Sequence, residues 1–192
     1  MPFNLLEAVK QKLGYDAISK VDPNTQEVEK PYKVPDSEKF AQASIPTVLT
    51  ALYRYSQTEE GAASLLAGSL STDWMDLLFG EHAAEAVEKV ADYSMQSYDI
   101  TRDKMDEIAS TSMILVGEQL SEGDKVRHLK DFMTHQKNNI LPHLPAALQI
   151  GKLLGDDTLD DRTNKMEGPV SSFMHTIESA MSASGKRNTE RE

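Results

Sequence analysis

Apolar residues recur at steps of three and four along almost the whole chain, and alternation of the strand type never exceeds four residues. That periodicity predicts an all-α fold, a single multi-helix bundle of about eight to nine helices. The strongest stretch is Thr101–Leu120, TRDKMDEIASTSMILVGEQL. Met105, Ile108, Ala109 and Ser112 share one helical face, and Leu115 and Val116 continue it a heptad later. Met113 and Ile114 then add apolar surface outside that stripe. A helix apolar most of the way round requires neighbours on every side, so 101–120 is expected to be the central helix, with Leu115 in the core and Glu107 in solvent.

The other segments follow from caps and breaks. Asn4 caps a helix over Leu5–Leu13 that stops at Gly14. A second short helix is expected over Tyr15–Val21, ending before Asp22-Pro23. Three prolines make residues 22–35 a long connection. Asp36 or Ser37 caps the next helix, with Phe40, Ala41, Ser44, Ile45, Val48, Leu49 and Leu52 on its apolar face. Pro46 should kink or divide it near Ala43. Thr58 opens a helix through Ala62, Leu65, Leu66 and Leu70. Thr72 or Asp73 opens a short one, Trp74–Phe79, the densest apolar patch in the chain and expected in the core. Glu81–Ser97 should bury Ala84, Val87, Ala91 and Met95. Lys125–Gln136 should bury Val126, Leu129, Phe132 and Met133 and break at Asn138-Asn139. A helix over Leu141–Leu154 tolerates Pro142 and Pro145 in its first turn. The last helix is expected over Pro169–Met181. In domain terms this gives short N-terminal helices and a linker over 1–35, a helical core domain over 36–183 and a disordered tail over 184–192.

Charge changes the picture of partners. The chain of 192 residues carries a formal charge of −11. Nine acids and one base, Lys89, lie between Tyr55 and Ile100. Such a surface repels phosphate backbones, which argues against nucleic acid. With no cysteine, disulfides and thiolate chemistry are excluded. The N-terminus lacks the basic and apolar regions of a signal peptide, and no apolar run approaches the roughly 18 residues of a membrane span. The expectation is a cytoplasmic protein without membrane insertion.

The segment SIPTVLTALYRYSQTEEGAASLLAGSL resembles the core of the YidB-like bacterial family of unknown function. Pro46, Leu49, Leu52, Gly61, Ala62, Leu65 and Leu66 occupy that family's proline, Leu-rich helix, Gly-Ala step and second Leu-rich helix. Ile108–Val116 and the Leu153-Leu154-Gly155 step before an aspartate-rich loop are also similar. The resemblance implies an all-helical bacterial cytoplasmic protein and brings no catalytic residues.

Candidate chemistry is sparse. Asp124, His128, Asp131 and His135 stand at i, i+4, i+7 and i+11, so one helix face presents alternating carboxylates and imidazoles. Such a set suits zinc, iron or manganese, with His82, Glu85 and Glu88 as ligands from a second helix. The same spacing also describes surface ion pairs. Asp156, Thr158, Asp160, Asn164 and Glu167 follow a calcium-loop template, but Asp161 replaces its glycine; Asp157 or Asp160 as a helix N-cap explains the same residues. No Gly-x-Ser-x-Gly elbow or phosphate loop occurs, and Ser171-Ser172 with His175 is the nearest nucleophile pairing. The reading is therefore a non-catalytic protein that binds a protein partner or itself, without cofactor. The alternative is a metal-binding helical protein or metal-dependent enzyme using those His and carboxylate ligands. Nine methionines, many on helix faces, suit adaptable contacts.

Overall fold

Thirteen consecutive residues, Phe40 to Leu52, are buried, and a helix buried around its whole circumference has to lie at the centre of a fold. They belong to α2 (Asp36–Ser56). The computed structural model describes residues 3–22, 35–68 and 73–160. Around α2 stand α1 (Leu5–Lys12), α3 (Glu59–Ala67), α4 (Trp74–Phe79), α5 (Ala83–Ser94), α6 (Tyr98–Gln119) and α7 (Lys125–Ile140), all packed against it. A four-residue turn, α8 (Ile150–Leu153), follows. The fold is all-α; among the described residues there are seven helices of six residues or more, this short one and four 3-10 turns.

The centre is thus α2 and not the helix at 101–120. α6 buries Met105, Ile108, Ala109, Ser112 and Val116 but leaves Ile100 and Ile114 in solvent. Leu115 is half-buried and packs on the edge of the core. Its apolar run is a wide stripe on a helix with one open side. Nor does Pro46 divide α2, which runs unbroken past it. The proline removes one backbone donor, and packing on all sides holds the helix together across the gap.

Other departures have local causes. Tyr15–Val21 is not helical. It is a strap without regular structure up to a single bridge at Val21, held in large part by side chains distant in sequence. The amide of Gln42 accepts from Ser19 N at 2.7 Å and donates to Ser19 O and to His143 O. Val21 N donates to Pro142 O at 2.8 Å. His143 Nδ1 lies 3.1 Å from Ser19 O, and burial pulls its pKa below the ordinary value. A second buried glutamine, Gln136, accepts from Leu5 N at 2.9 Å and so completes the start of α1. Leu5, Leu6 and Val9 are part of the same core as α2–α7.

α5 buries Ala83, Ala86, Val87, Val90 and Ala91. Ala84 is exposed, so the stripe is rotated from the expected one, and the helix ends at Ser94. α7 continues through Asn138-Asn139 to Ile140. Leu141–Leu154 is not one helix but two 3-10 turns and α8, because Pro142 and Pro145 withhold two donors within one turn. Asp160 caps backwards, accepting from Gly151 N and Lys152 N at 2.8 and 2.9 Å. A Cβ on Gly151 would fall 2.9 Å from that carboxylate. Similarly, a Cβ on Gly61 would overlap the Tyr55 carbonyl oxygen where α3 starts against the end of α2. The expected helix over Pro169–Met181, the Ser171-Ser172/His175 pairing, the calcium-template residues from Asp161 onward, the 184–192 tail, and Leu70 and Thr72 lie outside the described residues.

Candidate functional site

Two rows of polar residues at helical spacing and one exposed apolar corner are the candidate features. The first row is Arg102, Asp106 and Ser110 on α6, each four residues apart and therefore stacked on one face. It meets the start of α4. Trp74 Nε1 donates to Ser110 Oγ at 2.7 Å, and Trp74 is 1% exposed. Asp106 Oδ1 accepts from Met75 N at 3.0 Å. Asp73, at the cap position of α4, pairs with Arg102 at 2.6 Å, and Asp76 pairs with the same guanidinium at 3.0 Å. Burial raises the Asp106 carboxyl above the usual range, against the backbone donors that lower it. The Arg102 hydrogen bond holds Asp73 below its usual value. With Trp74, Met75, Leu78 and Phe79 buried, the Trp74–Phe79 patch is core. The seam therefore holds α4 in place. Sequence reasoning assigned these three residues no role, although their i, i+4, i+8 spacing was there to read.

The second row is Asp124, His128, Asp131 and His135. The structure places all four along α7 or at its cap, and each is engaged locally. Asp124 Oδ1 accepts from Arg127 N at 3.1 Å as the helix cap. His128 Nδ1 lies 3.1 Å from Ser121 Oγ. Asp131 is 3.9 Å from Arg127, and His135 Nδ1 is 2.6 Å from the Asp131 carbonyl oxygen. Asp124, Asp131 and His135 are exposed. Asp124 and Asp131 border an open cleft of about 560 Å³ between α3 and α7, together with Glu59, Ala63, Arg127 and Lys130; neither histidine lines it. His82 is near Glu81 and Glu85 on α5, at 3.9 Å from each, and brings nothing to α7. Among the described residues no group of three or more His, Asp or Glu side chains converges as a metal ligand set.

The apolar corner lies where α5 turns into α6. Met95 is 70% exposed and Ile100 50%, and Tyr98 lies between them in sequence with its ring partly in solvent. Asp92, Asp99 and Asp103 are exposed around them. Ile114, 64% exposed, follows Ile100 by fourteen residues, close to four helical turns, and so extends the same side of α6 by about 21 Å. Met95 has φ 55 and ψ 39. Its N–H and that of Gln96 turn back to Asp92 O and Ala91 O, which is the helix-ending motif in which glycine normally takes the left-handed position. A side chain there costs energy that glycine avoids, and an exposed methionine recovers little of it by packing.

No protein-family model, no curated protein and no solved structure matches the chain. Among the described residues no helix is long and apolar enough to cross a membrane.

Proposed function

We propose that this chain is a non-catalytic binding module of the bacterial cytoplasm, akin to the YidB-like family, whose contact surface is the α5–α6 corner. The observation that carries the reading is Met95. Its backbone strain and its exposure have no return in fold stability, and strain of this kind points to a role outside the fold. Methionine is also the side chain best able to adapt to a partner. The acids around the corner select that partner. A second copy of the chain would set Asp92, Asp99 and Asp103 against their like, which disfavours self-association. The occupant that fits is another protein presenting an apolar segment flanked by lysine or arginine.

Met95→Gly separates function from folding. It should raise stability by about 0.5–1 kcal/mol, because glycine takes the left-handed conformation freely, and Ile100→Asp should leave the fold intact. Light scattering should return a monomer. A protein held by immobilised wild-type chain should be lost from both variants and from wild type at high salt. Retention by both variants, or a dimer that survives salt, would refute the reading.

A further inference from the structure

Arg54 stands in the last turn of α2, and its Nε is buried without a hydrogen-bond partner. No carboxylate pairs with it among the described residues, although the chain has 31 acids for 20 Lys and Arg. A cation near a helix C-terminus is favoured by the carbonyls there. That accounts for the charge and leaves the buried donor unexplained, since buried N–H groups are almost always bonded.

Arg54 borders a cleft of about 360 Å³, within the usual range of small-molecule sites, roughly 300–1,000 Å³. Its walls are Leu78 and Phe79 of α4, Leu153 of α8 with Leu154 just after it, and Tyr55 and Thr58 beside Arg54. No acid lines it. Apolar walls with one unpaired cation suit a ligand with an apolar body and a single anionic head. A guanidinium presents planar pairs of N–H groups that two carboxylate oxygens fill side by side.

We infer that the Arg54 cleft binds a small amphiphile with an aliphatic chain and a carboxylate head, the carboxylate on the guanidinium of Arg54 and the chain against Leu78, Phe79, Leu153 and Leu154. The site is separate from the α5–α6 corner, so either reading stands if the other falls.

The probes are decanoate, decanol and decyl phosphate, titrated calorimetrically into the full chain below their micelle-forming concentrations. Decanoate should bind saturably, one per chain, at least tenfold more tightly than decanol. Arg54→Gln should lower decanoate affinity at least tenfold and leave decanol unchanged. Its melting temperature without ligand should stay within error of wild type, since no ion pair is lost. Leu154→Gln, at the half-buried wall, should weaken both ligands. Equal binding of decanoate and decanol, an unaffected Arg54→Gln, or no saturable binding would overturn the site. Tighter binding of decyl phosphate than of decanoate would overturn the carboxylate head.

Discussion

α6 and α7 each carry a row of polar side chains repeating at about one helical turn. Arg102, Asp106 and Ser110 face the start of α4, where Met75 N, the indole N–H of Trp74 and two carboxylates await them. Asp124, His128, Asp131 and His135 face loop, solvent and an open cleft, and their partners come from their own helix or the loop just before it. The same period yields a structural seam in one place and a solvated surface in the other. Spacing fixes which side chains share a face. What stands opposite that face decides their worth, because a hydrogen bond shielded from water holds more than an exposed ion pair.

The comparison breaks first at Trp74. Trp74→Ala should cost about 3–5 kcal/mol, from a buried aromatic lost together with its bond to Ser110; a urea midpoint close to wild type would mean that α4 is not held by the seam. Asp106→Ala comes next, at about 1–3 kcal/mol, because Met75 N–H is left unsatisfied. Asp106→Asn keeps an acceptor and should cost less than half as much by the same melts.

The pH dependence of that pair is sharper than its size. In the folded chain the Asp106 pKa is raised, so below neutrality the native state takes up a proton before the unfolded state does. Stability from this group therefore grows as pH falls through the folded pKa, and levels off below the unfolded value of about 3.9. Wild type measured against Asp106→Asn should gain ground between about pH 7 and 4. A relative loss over that window would mean that the carboxylate is held charged. The smallest effect belongs to α7. His128→Ala with His135→Ala should shift stability by less than about 0.5 kcal/mol, with the same melting temperature with or without one equivalent of zinc. A zinc-dependent rise in wild type that the double variant lacks would turn the second row into a site and end the contrast.

Residues near in sequence decided much of this molecule. The all-α class, the caps at Asn4 and Thr58, the stop at Gly80 and the buried faces of α1, α2 and α4 were legible, because they depend on periodicity and on side chains within one turn. The buried face of α5 was not legible from Ala84, Val87, Ala91 and Met95, since alanine is small enough to sit on either side of a helix. The strap over residues 15–21 escaped for another reason. Local propensity offered a helix there, while Gln42 and Pro142, more than twenty residues away in sequence, claim its backbone groups. The centre moved from 101–120 to α2 for the same cause. A wide apolar stripe says that a helix needs neighbours, but only the packing of six other helices on α2 shows which one they enclose. Arg54 reads in the sequence as one cation among twenty; its isolation exists only after α4 and α8 close over the end of α2 with leucine and phenylalanine. The chain alone determined its helices and most of their inward faces, since those rest on contacts a few residues apart. The tertiary structure decided the centre, the seam and the unpaired donor, since each depends on what a distant segment does or does not bring.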